Sequence, residues 1–259
     1  AVVLVGEDPA SQVYVRNKIR LCDKVGFDSM VIRLPGDIQE EELIAQVEKW
    51  NADSHLDGYI VQLPLPAHIH ADRVNLSIDP AKDVDGFHPY NVGRMCLGLP
   101  SYLPATPQGI LTLFEEYGIS ISGKKVVVLG RSNIVGRPMS ILLSQNRPIG
   151  NATVTVLHSR SKDTQKELKK ADVVIAAIGS PNFVTAEMLK PGAIVIDVGI
   201  NRVEDASRKR GYRLCGDVDF QGVKDKVGYI TPVPGGIGPM TVVSLLINTL
   251  KAAKKEVYD

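Results

Sequence analysis

The stretch Lys125-Val-Val-Val-Leu-Gly-Arg-Ser-Asn-Ile-Val-Gly-Arg-Pro-Met139 decides the fold. Its first five residues form a short apolar run, which is typical of a strand buried on both faces of a parallel sheet. Gly130 and Gly136 follow, and the pattern from Val135 to Ser144 predicts a helix. This order is typical of a phosphate-binding turn, in which a helix N-terminus offers free N–H groups. The same order is also a common structural connection.

Strands and helices alternate on both sides of this turn. The further strands are predicted at residues 1–5, 29–34, 58–62, 153–157, 172–177 and 193–197. The further helices are predicted at residues 9–25, 40–50, 107–117, 162–170 and 241–255. Repeated β-α units of this kind imply parallel sheets with right-handed crossovers.

Residues 77–108 separate two such series and are rich in proline and glycine. We expect a long ordered loop there and a domain boundary. The fold class that follows is α/β, with two three-layer parallel-sheet domains. The first would comprise residues 1–105 and 239–259, and the second, residues 106–238, would be a Rossmann-like dinucleotide-binding domain. Ligands bind beyond the carboxyl ends of parallel strands. We also expect an active-site cleft between the two domains.

Composition excludes several classes of protein. The 259 residues carry 30 Lys+Arg and 29 Asp+Glu, and this balance argues against a nucleic-acid binder or a protein drawn to anionic membranes. No apolar run is long enough for a membrane span. Three scattered cysteines form neither a disulfide framework nor a zinc motif, so we expect a reducing, cytoplasmic setting and no metal. The chain opens directly on a strand without Met, so we expect a segment upstream of it.

The end of the strand after the glycine turn bears on the choice of cofactor. NAD enzymes usually place an acidic residue there to hold the ribose hydroxyls. Here that position carries Ser159 and Arg160, and Arg131 lies in the turn itself. These side chains suit the 2′-phosphate of NADP, which we therefore expect as the cofactor. The alternative is that they are solvated loop residues.

A second group of candidates lies in the first half of the chain. Tyr14 and Lys18 are four residues apart, so they share a face of the predicted helix. The alternative is that they are an ordinary surface pair with no catalytic role. Tyr-x-x-x-Lys also occurs in short-chain dehydrogenases, where the motif follows the dinucleotide-binding turn. In this chain the motif precedes the turn, which argues against that family. Gln62 ends a predicted strand at the edge where ligands bind. Asp83 and Asp85 lie in the 77–108 loop, where aspartates also serve as turn formers.

Three further features of the sequence give weaker functional signals. The glycine-rich segment 232–241 leads into the last helix, and its backbone could approach a ligand closely or serve as a helix-entry loop. His68 and His70 could bind a metal, but no acidic residue or cysteine lies at a spacing typical of a metal site. We therefore expect both to be surface histidines. For His88, a structural hydrogen bond is favoured over catalysis.

Five motifs together resemble the bifunctional methylenetetrahydrofolate dehydrogenase/methenyltetrahydrofolate cyclohydrolase family over essentially the whole chain. They are VGEDPASQVYVRNK (5–18), YIVQLPLP (59–66), KDVDGFHPYNVG (82–93), GRSNIVGRPM (130–139) and TPVPGGIGPMT (231–241). Members usually begin with an additional helix before the first strand. This chain lacks it, which we interpret as truncation or omission and not as a different fold.

The resemblance implies an enzyme with two activities, cofactor NADP and a homodimeric assembly. It implies that Lys18 is the proton shuttle, that Gln62 orients it, that Asp85 binds the pterin ring and that Tyr14 packs on the substrate. The implied folate-binding set is Tyr14, Asp85, Pro234, Gly235 and Gly236. The implied cofactor-binding set is Gly130, Arg131, Ser132, Ile134, Val135, Gly136, Ser159, Arg160 and Ile200. Two alternatives remain: a dehydrogenase without cyclohydrolase activity, and a non-catalytic nucleotide-binding module.

Overall fold

The structure, a computed structural model, describes residues 1–208 and 211–258. The chain divides into two compact units, which are described separately below. The first unit is Ala1–Ala105 with Val242–Asp259, and the second is Thr106–Thr241. No helix in the described part of the chain has the length and apolar character needed to cross a membrane.

The elements follow the predicted alternation. In the first part of the chain they are β1 (Val2–Val5), α1 (Pro9–Lys24), β2 (Val31–Leu34), α2 (Glu40–Ala52), β3 (Ile60–Val61), α3 (Ala71–Ser77) and α4 (Pro89–Cys96). Then come α5 (Ala105–Glu116), β4 (Lys125–Leu129), α6 (Gly136–Ser144), β5 (Thr153–Leu157), α7 (Thr164–Leu168), β6 (Val173–Ala176), a 3-10 turn (Ala186–Met188) and β7 (Ile194–Asp197). The last are β8 (Asn201–Glu204), β9 (Tyr212–Cys215), α8 (Phe220–Val223), β10 (Tyr229–Ile230) and α9 (Ile237–Ala253).

The first unit is built on a three-stranded parallel sheet in the order β2-β1-β3. Successive residues of a strand point to opposite faces. Val3 and Val5 therefore pack with Val47 of α2 on one face, and Leu4 packs with Val15 of α1 on the other, where α9 also contributes. Helices cover both faces, so this unit has the predicted three layers.

Helix α1 places two of the predicted site residues. Asp8 caps its N-terminus, with the Ser11 N–H donating to Asp8 Oδ2 at 2.7 Å, and Pro9 occupies the first helical position. Aspartate and proline are both favoured at these positions of a helix. Gly26, just beyond the end of the helix, has a φ of +79°, a conformation that favours glycine. Tyr14 and Lys18 consequently lie one turn apart on a continuous helix.

The prediction of one long loop over residues 77–108 is wrong in part, because α4 lies inside it. Pro89, one of the prolines that indicated a loop, begins the helix, where proline lacks only an N–H that would be unpaired anyway. His88 caps this helix, since its Nδ1 accepts a hydrogen bond of 3.1 Å from the Tyr90 N–H. The predicted structural role of His88 is therefore confirmed.

The second unit contains a five-stranded parallel sheet in the order β10-β7-β6-β4-β5. Strands β4 and β5 have the predicted bounds and pair in register, with Leu129 opposite Leu157. The strand order reverses at β4, which pairs with β5 on one side and β6 on the other. Such a reversal is where doubly wound sheets bind ligands. The predicted α/β fold class is confirmed, whereas the antiparallel β8–β9 hairpin and β10 were not predicted.

Candidate functional site

A hydrogen bond joins two of the predicted catalytic residues in the first unit. Lys18 Nζ donates to Gln62 Oε1 at 3.1 Å. Gln62 lies directly after β3, and its Nε2 donates in turn to the Leu63 carbonyl at 2.7 Å. With the amide nitrogen held in this way, the amide oxygen faces Lys18. The glutamine thus offers the lysine an uncharged acceptor of fixed orientation.

Burial and charge set the acid–base properties of this group. Burial lowers the pKa of Lys18, and the nearby carboxylate of Asp85 opposes part of that change. Burial raises the pKa of Asp85, and the positive charge of Lys18 opposes it in return. Burial also raises the pKa of Tyr14, one helical turn before Lys18. The structure therefore brings Lys18, Gln62 and Asp85 together, with Tyr14 on the same helix.

The loop that carries Asp85 is held by a second carboxylate, that of Asp83. Asp83 accepts hydrogen bonds from the Gly86 N–H at 3.2 Å, the His88 N–H at 2.7 Å and Asn91 Nδ2 at 3.0 Å. Burial raises the pKa of Asp83 to about 7. The turn-forming interpretation thus applies to Asp83. The role of Asn91 was missed, and its place in α4 just after KDVDGFHP is the only signal that the sequence offers for it.

The glycine turn after β4 is required by the packing of the chain itself. Gly130 has a φ of +121°, and a Cβ there would lie 2.1 Å from the Ala177 carbonyl oxygen. A Cβ at Gly136 would lie 2.3 Å from the Gly130 carbonyl oxygen. Ser132 Oγ accepts hydrogen bonds from the N–H groups of Val135 at 3.2 Å and Gly136 at 3.4 Å. Ser132 therefore provides an acceptor, from within the turn, for the N–H groups at the start of α6.

Other residues of the predicted cofactor set are exposed at the same edge of the sheet. Arg131 and Ile134 extend from the turn, and Ser159 and Arg160 follow the neighbouring strand β5. Among the described residues, no carboxylate forms an ion pair with Arg131 or Arg160. A tight glycine turn beside two guanidinium groups that form no ion pair is suited to binding the phosphate groups of a dinucleotide. Ile200 is exposed after β7.

The predicted folate-binding loop before α9 belongs to the second unit, whereas Lys18, Gln62, Asp85 and Tyr14 belong to the first. Pro234 follows a cis peptide bond, and Gly235 has a φ of +101°. A Cβ at Gly236 would lie 2.4 Å from the Pro232 carbonyl oxygen. The backbone geometry therefore explains both glycines.

One of the two histidines considered for metal binding, His68, lies against the main chain. His68 Nε2 lies 2.9 Å from the Ile38 carbonyl oxygen. Residues 1–208 and 211–258 contain no group of three or more His, Cys, Asp or Glu side chains arranged to hold a metal ion.

Comparison with known proteins gives consistent matches along the chain. Residues 1–85 match the family model described as "Tetrahydrofolate dehydrogenase/cyclohydrolase, catalytic domain". Residues 104–257 match the model described as "Tetrahydrofolate dehydrogenase/cyclohydrolase, NAD(P)-binding domain". The bifunctional protein FolD of Bacteroides fragilis is 58% identical over 259 residues, which is 100% of this chain and 88% of that protein.

Solved structures agree with the sequence matches. The bifunctional FolD enzyme from Campylobacter jejuni is 47% identical with a TM-score of 0.92, covering 98% of this chain and 87% of that one. The FolD enzyme from Trypanosoma brucei, solved with NADP cofactor and an inhibitor, is 39% identical with a TM-score of 0.93, covering 100% of this chain and 87% of that one. The two family models together span most of the chain, and the relatives match its whole length. This protein belongs to the tetrahydrofolate dehydrogenase/cyclohydrolase family.

Proposed function

We propose that this protein catalyses two consecutive reactions on a reduced folate. The first oxidises 5,10-methylenetetrahydrofolate to the 5,10-methenyl cation, with NADP+ as the oxidant. The second adds water to that cation and opens it to 10-formyltetrahydrofolate. The hydrogen bond between Lys18 and Gln62 beside Asp85 carries this proposal, because it gives a lysine of lowered pKa a fixed neutral acceptor. Membership of the family supports the same pair of reactions.

The oxidation requires positioning more than acid–base chemistry. NADP+, when bound, supplies the hydride acceptor. The chain's part is to hold the cofactor and to exclude competing reactions. We assign the holding role to the turn after β4 and to the residues that follow β5 and β7. They are Gly130, Arg131, Ser132, Ile134, Val135, Gly136, Ser159, Arg160 and Ile200.

The preference for NADP+ over NAD+ follows from the residues after β5. Ser159 and Arg160 occupy the place where a ribose-binding carboxylate would favour NAD+. A guanidinium group binds a phosphate through paired, charge-assisted hydrogen bonds. The exposed side chains of Arg160 and Arg131 therefore suit the 2′-phosphate, and a relative solved with NADP supports the choice.

The hydrolysis requires a group that moves protons, and we assign this role to Lys18. A base must be neutral to accept a proton from water, and an ordinary lysine is almost fully charged at pH 7. Burial lowers the pKa of Lys18, which increases its neutral fraction. Lys18 would take one proton from the attacking water as the C–O bond forms and return it to N5 when the C–N5 bond breaks. The remaining hydroxyl proton of that water leaves to solvent as the formyl C=O forms on N10. Gln62 would hold the amine in position.

The remaining residues would bind the folate. Asp85 would accept hydrogen bonds from the N–H groups of the pterin ring, and Tyr14 would pack against the aminobenzoyl ring. Pro234, Gly235 and Gly236 would close over the substrate. The burial of Asp85 beside Lys18 supports the first assignment, because an acceptor in a poorly solvated place binds a donor more strongly than one in water.

We also propose a cytoplasmic homodimer. No disulfide joins the three cysteines in the described structure, which supports a reducing compartment. Strand β5 lies at the end of the five-stranded sheet and exposes Thr155 and Val156. An exposed edge strand is a ready surface for pairing with a second copy. Analytical ultracentrifugation would show a dimer if this is correct and a monomer at micromolar concentration if it is not.

One spectrophotometric experiment tests the proposed reactions. The protein is mixed with 5,10-methylenetetrahydrofolate and NADP+, and both NADPH and the methenyl cation are followed by absorbance. A bifunctional enzyme forms NADPH without lasting accumulation of the cation and also hydrolyses separately prepared methenyltetrahydrofolate. Lasting accumulation indicates a dehydrogenase alone. Absence of both reactions indicates a nucleotide-binding module and refutes the proposal.

A further inference from the structure

A buried carboxylate joins two loops at the carboxyl edge of the five-stranded sheet. Asp217 is fully buried. Its Oδ2 accepts hydrogen bonds from the N–H groups of Ile178 at 2.7 Å and Gly179 at 3.0 Å. Its Oδ1 accepts from the Ser180 N–H at 2.8 Å and from Asn201 Nδ2 at 2.9 Å. One side chain thus accepts from four donors, three in the loop after β6 and one at the start of β8.

Both loops lie where a doubly wound sheet binds its ligand. Residues 178–180 follow β6, and residues 198–200 follow β7. Ligands bind beyond the carboxyl ends of such strands. Ile200, which we assign to the cofactor site, lies between Gly199 and Asn201. A Cβ at Gly199 would lie 2.3 Å from Asp217 Oδ1, so this loop also packs directly on the carboxylate.

The three N–H groups of residues 178–180 are already occupied. Successive backbone N–H groups in a loop form a concave site that often binds a phosphate. Here the protein's own carboxylate takes that place. Asp217 therefore shapes this loop, and these three N–H groups are not available to a cofactor phosphate.

A second buried carboxylate fixes the first. Asp197 Oδ1 accepts hydrogen bonds from the N–H groups of Gly199 at 3.0 Å and Asp217 at 2.9 Å, and its Oδ2 accepts from the Val218 N–H at 3.0 Å. The Asp197 N–H donates to Thr231 Oγ1 at 2.8 Å, which links the group to the end of β10. Hydrogen bonds of both the Asp217 backbone N–H and the Asp217 carboxylate therefore fix the position of this residue.

We infer that Asp217 and Asn201 are positioning residues for NADP+. They do not touch the cofactor. Asp217 fixes the loop after β6, and the bond from Asn201 ties the end of the loop that carries Ile200 to the same carboxylate. This inference rests on the proposed function, because it assumes that NADP+ binds at this edge of the sheet.

The test measures NADP+ binding by isothermal titration calorimetry in three variants. Asp217→Asn places an amide N–H against backbone N–H groups that need an acceptor, so we expect at least a tenfold higher Kd. Asn201→Ala removes one bond only, and we expect about a threefold higher Kd. Asp219→Asn is the matched control, because Asp219 lies in the same segment but only caps α8, accepting from the Gly222 N–H. We expect its Kd to equal that of the wild type.

A second measurement separates positioning from general loss of structure. Hydrolysis of separately prepared methenyltetrahydrofolate needs no NADP+, and Lys18 lies in the other unit. We therefore expect Asp217→Asn and Asn201→Ala to keep wild-type hydrolysis while NADP+ binding weakens.

Two results overturn the inference. One is a wild-type Kd for NADP+ in folded Asn201→Ala and Asp217→Asn. The other is a loss of hydrolysis in parallel with NADP+ binding. Asn201→Ala decides the question if Asp217→Asn does not fold. A failure of the proposed function is seen in the wild-type protein itself, which would then bind no NADP+ or would not oxidise the folate.

Discussion

Lys18 Nζ and Gln62 Oε1 are 3.1 Å apart although the two residues are 44 positions apart in the chain. Helix α1 presents the lysine, and the end of β3 presents the glutamine. The acceptor is neutral, so it orients the lysine without the strong stabilisation that a carboxylate would give the ammonium form. The choice of an amide at position 62 therefore preserves the lowered pKa that burial gives Lys18.

Replacing Gln62 by Glu tests this relationship. A carboxylate at this distance favours the charged amine, so the pKa of Lys18 should rise. Less neutral amine is then present at pH 7, and we expect the hydrolysis rate to fall at least about tenfold. The acid limb of the pH–rate profile should move to higher pH. The shift is measured on methenyltetrahydrofolate, and an unmoved acid limb would show that Lys18 is not the titrating base.

Replacing Lys18 by Met should abolish hydrolysis of the methenyl cation. Met keeps much of the side-chain volume but cannot carry a proton. NADP+ binding should remain at the wild-type level in calorimetry, because the predicted cofactor residues lie in the other unit. Lys24→Met, at the exposed end of α1, serves as the control and should keep both activities. Retained hydrolysis in Lys18→Met would refute the assignment.

Replacing Asp85 by Ala should impair both reactions through the folate. The variant loses an acceptor in a poorly solvated place, and we expect a Kd for the folate that is at least tenfold higher, or about 1.4 kcal/mol. NADP+ binding should not change. Folate binding is measured by equilibrium dialysis, with the exposed Asp72→Ala as the control. Unchanged folate affinity in Asp85→Ala would count against the assigned role.

Replacing Arg160 by Ala should weaken discrimination between the two nicotinamide cofactors. The loss of a charge-assisted bond to the 2′-phosphate should raise the KM for NADP+ about tenfold and leave the KM for NAD+ nearly constant. Lys170→Ala is the control, since that lysine pairs with Glu167. Steady-state rates with both cofactors decide the matter. A wild-type preference for NAD+ would contradict the NADP assignment.

The elements that the sequence predicted best are those whose signal is local. Strand β4 is a short apolar run and β5 alternates Thr and Val, and the bounds of both agree with the prediction. The β8–β9 hairpin was missed because Arg202 and Glu204 are exposed, so β8 carries no apolar run. Helix α4 was missed because a proline that begins a helix resembles one that breaks a helix.

The site residues also divide into those with a local sequence signal and those without one. The resemblance to the family predicted Lys18, Gln62 and Asp85, because each of its motifs lies within a short stretch of sequence. The carboxylates that hold the loops after β6 and β7 were not predicted, since many of their partners are backbone N–H groups far away in the chain. Asp217, for example, accepts hydrogen bonds from residues 37 to 39 positions earlier. No residue type marks such a donor, so only the folded chain shows it.

The buried carboxylate of Asp83 predicts a dependence of stability on pH. Burial raises its pKa from 3.8 to about 7, so the native state binds more protons than the unfolded state between these values. The free energy of unfolding that Asp83 contributes therefore falls as pH rises through this window, by at most about 1.4 kcal/mol per pH unit. Between pH 5 and pH 8 the loss should be on the order of 2–3 kcal/mol.

Replacing Asp83 by Asn removes this titration. Other groups also respond to pH, but the difference between the variant and the wild type isolates the contribution of residue 83. We expect the variant to gain stability relative to the wild type as pH rises from 5 to 8, as measured by urea denaturation at each pH. Ser101→Ala, in the same unit, changes no titratable group, so its offset from the wild type should be constant. A constant offset for Asp83→Asn as well would mean that Asp83 is ionised throughout this range.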